Sequence, residues 1–296
     1  MRRTRIFDLD PLIIFRYAKT MTKVALIQMH VTASKADNLR SAAAFVSTCA
    51  AQGAELVVLP EMFCCPYQAS LFPSYAEPAG GDVWCSLAEM ARENRVTLVG
   101  GSMPEVDDAG RVYNTSFTFG EDGRQLGRHR KMHLFDIDVS GGQRFRESDT
   151  LAPGSDITLV DTPTGRFGVA ICYDVRFPEL ARLMALQGAS ALVYPGAFNM
   201  TTGPAHWEIL FRARALDNQV YTLGCAPARS EQASYVSYGN SIAVSPWGDV
   251  VGRLGAGEGT LLVDLDWERE AQVRRELPLL MHRRTDVYEM RAKSNE

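Results

Sequence analysis

The chain has 296 residues, 46% of them hydrophobic and 22% charged, with a net charge of −4. That length allows one large α/β domain or two small ones around a substantial core. The balance leaves no basic footprint for nucleic acid, and no apolar run approaches the roughly 18 residues of a membrane span.

Residues 1–20 come first, and they fit no simple class. Arg2, Arg3, Arg5, Arg16 and Lys19 give a basic flavour that Asp8 and Asp10 interrupt. A mitochondrial presequence is poor in acids, and the apolar stretch at 12–15 is shorter than the roughly 7–15-residue core of a signal peptide. An extension outside the fold is expected, with the cytoplasm as the default compartment and the mitochondrion as the alternative.

Residues 24–29 and 56–59 are rich in Val, Leu and Ile and read as buried strands. Between them 37–52 has helical periodicity, with Gly53 placed to end it as the C′ residue. A helix from 81–82 toward 94 and a strand at 96–100 continue the alternation. Such alternation means βαβ units and a layered α/β domain. Segments 114–119 and 124–127 flank Glu121-Asp122-Gly123, a hairpin signal. Residues 132–156 hold few apolar side chains and several glycines, so they read as a long surface loop, functional or disordered.

The pattern resumes with a strand at 167–171 and a helix at 177–187, with Pro178 in its first turn. A strand at 191–194, a helix from Gly203-Pro204 to about 218 and a strand at 220–225 follow. Strands at 241–244, 249–253 and 259–264 surround the turn at 246–249. Gly255-Ala256-Gly257-Glu258-Gly259 superficially resembles a phosphate loop, but it leads into a strand rather than a helix. It reads as a hairpin turn.

Six cysteines (49, 64, 65, 85, 172, 225) show no Cys-x-x-Cys spacing, and a chain of this size needs no disulfide staples. The five histidines are scattered, with no helical zinc pair expected among them. A reducing compartment, free thiols and no metal follow as expectations. Three other positions put a reactive side chain just past an apolar strand, where ligands gather in open α/β sheets. Leu56-Val57-Val58-Leu59-Pro60 delivers Glu61, Val169-Ala170-Ile171 delivers Cys172, and Lys131 follows the central hairpin. Taken singly, each has a bland reading as a solvated acid, a small buried hydrophobe and a surface cation.

The local sequence goes further. Residues 60–67 (Pro-Glu-Met-Phe-Cys-Cys-Pro-Tyr), 130–135 (Arg-Lys-Met-His-Leu-Phe) and 172–180 (Cys-Tyr-Asp-Val-Arg-Phe-Pro-Glu-Leu) resemble the three signature segments of the nitrilase, or carbon–nitrogen hydrolase, superfamily. They stand in that family's order and spacing, and the resemblance runs from about residue 24 to 288. Segments 131–139, 194–199, 201–208 and 217–221 are similar to the omega-amidase branch. The branch that hydrolyses deaminated glutathione shares Gly-Pro-Ala-His-Trp-Glu and Arg-Phe-Pro-Glu-Leu, and Arg176-Phe177-Pro178 leans toward it.

The resemblance implies one domain over 21–296, a four-layer αββα sandwich, and a homodimer whose tail crosses to the partner. It implies Cys172 as nucleophile, Glu61 as base, and Lys131 with the Tyr173 N–H as donors to the oxyanion. A second glutamate, Glu147, would orient Lys131. No cofactor is implied. The substrate would be a small amide carrying a carboxylate away from the scissile bond, a 2-oxo-dicarboxylic acid monoamide. Arg176 would offer that carboxylate a bidentate fork, or else hold Asp174 or a neighbouring loop. Tyr67, Phe198 and Thr202 would shape the pocket. A deaminated-glutathione amidase and a true nitrilase are the alternative enzymes. A non-catalytic nucleotide-binding module is disfavoured because all three reactive positions are occupied.

Overall fold

The computed structural model describes residues 20–293. The expected extension therefore lies outside the described residues, except for Thr20, whose carbonyl accepts a hydrogen bond from Trp267 N at 3.0 Å.

The elements run β1 (Met21–Gln28), α1 (Lys35–Ala51), β2 (Leu56–Val58), α2 (Phe72–Tyr75), α3 (Asp82–Asn94), β3 (Thr97–Val99), β4 (Met103–Val106), β5 (Val112–Phe119) and β6 (Gln125–Arg130). There follow β7 (Asp136–Asp138), β8 (Arg144–Arg146), β9 (Thr158–Thr162), β10 (Gly165–Val169), α4 (Pro178–Leu186), β11 (Ala191–Pro195) and α5 (Gly203–Asn218). The chain ends through β12 (Tyr221–Cys225), β13 (Ile242–Val244), β14 (Val250–Arg253), β15 (Gly259–Asp266) and α6 (Trp267–Glu276).

Two mixed sheets carry the fold. The first has the order β15-β1-β2-β3-β5-β4, with β6 on the other edge of β5. The second has the order β14-β13-β12-β11-β10-β9. In each, the three central strands are parallel and antiparallel strands complete the sheet. The period-2 pleat sends alternate side chains to opposite faces. Val24, Leu26, Leu56 and Val58 of the first sheet thus meet Phe167, Val169, Val193 and Leu223 of the second in one buried layer. Ala25, Ile27, Val57 and Leu98 point the other way, into a core beneath α1 and α3. Leu192, Tyr194, Ile242 and Val244 do the same beneath α4 and α5. The result is the expected αββα sandwich. Removing a central member such as Leu26 would leave a cavity costing about 2–5 kcal/mol.

Local chemistry explains the helix ends. The Ser34 side chain caps α1 by accepting from Asp37 N at 3.2 Å, and Gly53 just past its end has φ +86°, the left-handed conformation glycine adopts freely. Pro178 and Pro204 sit in the first turns of α4 and α5, where a missing N–H costs nothing.

Two expectations are corrected. Residues 132–156 are not one structureless loop: β7 and β8 pair within them as a hairpin. Its register sets Asp136 opposite Arg146 and Asp138 opposite Arg144. Its charged ends are exposed while Ile137 and Phe145 pack toward Phe135 and Tyr235, and strands of three residues are too short to show a period. Residues 255–259 are not a hairpin turn either, because β14 belongs to the second sheet and β15 to the first. They cross the sandwich, and the Gln28 Nε2 amide pins the crossing by donating to the carbonyls of Gly255 (2.8 Å) and Gly257 (2.5 Å).

Candidate active site

The sheets share one end, and the reactive side chains gather there. Glu61 lies three residues past β2, Lys131 directly follows β6, and Cys172 lies three residues past β10. The chain around Glu61 is tightly packed: Gly101 has φ +58°, and any Cβ there would come 2.2 Å from Pro60 O. Lys131 is fixed at its backbone by donating to Asn114 O at 2.8 Å.

Cys172 has φ +46°. A left-handed backbone at a non-glycine residue costs of order 1–3 kcal/mol and persists only where its surroundings impose it. Here a short 3₁₀ turn over Cys172–Arg176 follows at once, throwing the thiol off the strand end.

Glu61, Lys131 and Glu147 are fully buried together. Lys131 Nζ donates to Glu61 Oε1 at 3.0 Å and to Glu147 Oε1 at 2.9 Å. Tyr67 Oη lies 3.2 Å from Glu61 Oε1 and 2.8 Å from Glu147 Oε1. Asn114 Nδ2 adds a third donor to Glu61 Oε1 at 2.8 Å. Glu61 Oε2 accepts from Ala197 N at 2.7 Å, and Glu147 Oε2 from Phe135 N at 2.7 Å. Two acids thus surround one ammonium, a buried set that is costly unless every member is paired.

The electrostatics follow from that arrangement. Burial alone would lower the Lys131 ammonium, but Glu147 and Glu61 outweigh it and hold it above its ordinary value. Lys131 is therefore a standing cation. Burial raises the Glu147 carboxyl, and nearby Glu61 adds to the rise against Lys131. The Cys172 thiol is pushed well above its ordinary range by burial and by the neighbouring Glu61, while Lys131 opposes the rise. The resting group is the thiol, beside Glu61.

Around this centre stands an aromatic wall. Tyr67 packs on Tyr235 with ring centroids 4.4 Å apart, Phe145 from β8 lies 5.5 Å from both, and Phe135 meets Tyr173 edge-on at 5.2 Å. Arg176 lies with its guanidinium 4.8 Å from the Phe198 ring centre and 5.5 Å from that of Tyr173. Its Nη1 bonds His206 Nδ1 at 3.1 Å, while its buried Nε and Nη2 have no partner among the described residues. It does not hold Asp174. Thr202 stands apart from the charged group: its hydroxyl and N–H both turn to Asn199 Oδ1 at the start of α5.

Three features escaped the sequence reading. Tyr235, far along the chain, donates to Ala197 O, and Asn114 holds Glu61; neither carries a local signal. His129 and His133 do stand four apart in sequence, but on a strand end rather than a helix, and both turn to Asp174. Their even spacing about Lys131 was the signal available.

The chain matches the Carbon-nitrogen hydrolase family over residues 23–275. An omega-amidase of Bos taurus is 49% identical over 273 residues, covering 92% of this chain and 99% of that protein. Nit3 of Saccharomyces cerevisiae, described as a member of branch 10 of the nitrilase superfamily, superposes with a TM-score of 0.84 at 43% identity, covering 90% of this chain and 97% of that one. A mutant amidase of Nesterenkonia sp. AN1 superposes with a TM-score of 0.75 at 26% identity, covering 90% and 95% of the two chains, and bears the acetamide moiety of fluoroacetamide covalently on its active-site cysteine. With family, relatives and fold in agreement over nearly its whole length, the chain belongs to the carbon–nitrogen hydrolase family of the nitrilase superfamily and is a hydrolase acting on amides.

Proposed function

We propose that the chain is an omega-amidase that hydrolyses 2-oxoglutaramate and 2-oxosuccinamate to the 2-oxo-dicarboxylic acid and ammonia, through a thioester on Cys172. The observation that carries this reading is the edge of Arg176, Nε and Nη2, left without a partner among the described residues, near the buried Cys172 thiol and its neighbour Glu61. A planar guanidinium edge is the complement of a substrate carboxylate, and Cys172 is among the groups that act on Arg176 electrostatically.

The chemistry follows from who is already bonded to whom. Glu61 Oε1 accepts from Tyr67, Asn114 and Lys131, so Oε2, with only Ala197 N, is the oxygen left to take a proton. As Cys172 Sγ attacks the amide carbon, its proton passes to Glu61 Oε2. Lys131 has three N–H donors; two go to Glu61 and Glu147, and the third, together with Tyr173 N–H, stabilises the developing oxyanion. The C–N bond breaks as Glu61 returns the proton to nitrogen, releasing ammonia and leaving the thioester. Glu61 then deprotonates water, which attacks the acyl carbon, and the sulfur leaves to recover its proton. Glu147 keeps Lys131 oriented. The covalent adduct on the cysteine of the Nesterenkonia amidase supports the nucleophile assignment, and the relatives named omega-amidases support the branch.

Tyr67 and Phe198 wall the substrate, and Thr202 is carried into this reading by its hydrogen bonds to Asn199, the residue after Phe198. A cytosolic homodimer is part of the same reading. Ile209 and Leu216 on the outer helix α5 are exposed, as a helix-layer interface requires, and so are Met281 and Tyr288 in the tail. Among the described residues no helix is long and apolar enough to cross a membrane.

The test is ammonia release from a panel of 2-oxoglutaramate, 2-oxosuccinamate, deaminated glutathione, glutamine and a simple nitrile. Both 2-oxo-acid amides are expected to lead. Glutamine brings an α-ammonium whose desolvation, without a partner, costs several kcal/mol. A far higher kcat/KM for deaminated glutathione than for 2-oxoglutaramate would replace this reading with that of the other branch.

A further inference from the structure

One buried side chain ties the two halves of the site together. Asp174, two residues past Cys172, is fully buried. Its Oδ2 accepts from Ile171 N at 3.0 Å and bonds His129 Nε2 at 3.0 Å. Its Oδ1 accepts from His133 N at 3.0 Å and bonds His133 Nδ1 at 2.7 Å. Ile171 immediately precedes the left-handed Cys172, while His129 and His133 flank Lys131 two residues to either side. The carboxylate thus grips the backbone before the thiol with one oxygen and the segment carrying the ammonium with the other.

The bridge is anchored beyond itself. His129 Nδ1 contacts Thr158 Oγ1 at 3.1 Å, and Thr158 Oγ1 donates to Arg128 O at 3.2 Å, binding β6 to β9 in the facing sheet. The His133 ring stacks on Phe177 with centroids 3.5 Å apart, so it cannot swing away from Asp174 without losing that face. An acceptor of four hydrogen bonds at one buried point is a carboxylate and not a neutral acid. Burial works against its charge, but the donors from His129 and His133 outweigh it and hold the carboxyl far below the usual range.

We propose that Asp174 is a positioning residue for amide hydrolysis, setting the distance between the Cys172 thiol and the Lys131 ammonium by bridging Ile171 to His129 and His133. It rests on the assignment of Cys172 and Lys131 to the reaction. Asparagine is the diagnostic replacement, because it has the same shape but only one acceptor oxygen. Each carboxylate oxygen now takes a backbone N–H, so either orientation of the amide sets its NH₂ against Ile171 N or His133 N. One half of the bridge must let go.

The experiment compares wild type, Asp174→Asn and Cys172→Ala in the full chain, using whichever amide of the panel wild type cleaves fastest. It reads kcat, KM, melting temperature and the rate of Cys172 alkylation by iodoacetamide, followed by peptide mass spectrometry. Misplacement of reacting groups by about 1 Å can cost of order 100-fold, so kcat and alkylation rate should fall together by about 10–100-fold, with KM within about threefold. A fall below about fivefold in either rate overturns the proposal, whatever happens to the melting temperature. If Asp174→Asn does not yield folded protein, His133→Phe decides the matter, since it keeps a ring on Phe177 and removes Nδ1. A loss of about threefold or more in both rates at an unchanged melting temperature supports the bridge, and a smaller loss overturns it. Turnover by Cys172→Ala would instead sink the nucleophile assignment, an outcome that does not depend on Asp174.

Discussion

Two cysteines stand at the carboxyl ends of strands in the same sheet, one on each side of β11. Cys225 ends β12 and Cys172 follows β10; both are buried, and burial pushes both thiols up. Their surroundings differ completely. Cys225 faces the layer between the sheets, where its Sγ lies 3.2 Å from the carbonyls of Ile27 and Val58. Cys172 stands on a left-handed residue outside the strand, against Glu61 and near Lys131 and Glu147. Residue type, strand end and burial are common to the two. A thiol becomes chemically useful only where a base can take its proton and a cation awaits the charge that moves to the substrate. Among the described residues neither stands at Cys225.

The sharpest way to break this contrast is to exchange the fates of the two thiols. Cys172→Ala should reduce ammonia release to the uncatalysed background while melting as wild type does, and mass spectrometry of substrate-trapped enzyme should find the acyl group on Cys172. An adduct on Cys225, Cys64 or Cys65 would end the comparison.

Glu61→Gln should be the next most damaging change, lowering kcat by about 10²–10⁴-fold or more, because the base serves acylation and deacylation alike. Should most of the activity survive, Glu147 becomes the first candidate for the base. Lys131→Ala should cost about 10²–10³ in kcat through the lost oxyanion donor. It should also destabilise the protein, because Glu61 and Glu147 are left as buried acids without their cation, a situation worth about 3–5 kcal/mol. Thermal melts and steady-state kinetics on the same preparation separate the two effects.

Arg176→Lys should act on binding more than on chemistry. The charge remains but the fork is lost, so KM for 2-oxoglutaramate should rise about tenfold with kcat largely kept; a fall in kcat at constant KM would place Arg176 among the reacting groups. Cys225→Ala should change least. It removes one buried sulfur, costs about 1 kcal/mol of stability, and leaves kcat where it was.

Much of this molecule was legible along the chain. The apolar runs at 24–29, 56–59, 167–171, 191–194 and 220–225 are central strands because parallel strands buried on both faces read as continuous Val, Leu and Ile. The helices at 37–52, 81–94, 177–187 and 203–218 announced themselves by period and by Pro178, Pro204 and Gly53 at their ends. The positions of Glu61, Lys131 and Cys172 past strand ends were also visible, since a strand end is a local event. Strands β4 and β9, helix α6 and the β7/β8 hairpin were not, because they are short, polar or edge elements specified by partners elsewhere in the chain.

What only the tertiary structure decided is which groups meet. Glu147 and Lys131 are 16 residues apart and Glu61 and Lys131 are 70 apart, and nothing in the intervening sequence states that one ammonium will serve both acids. The same holds for the joining of His129 and His133 to Asp174, for Tyr235 against Tyr67, and for the glycine-rich run at 255–259, which crosses between sheets rather than turning within one. Periodicity records how each segment divides its faces between core and water. Contacts between side chains are set by the packing of whole layers, a property of the assembled sandwich and not of any stretch of it.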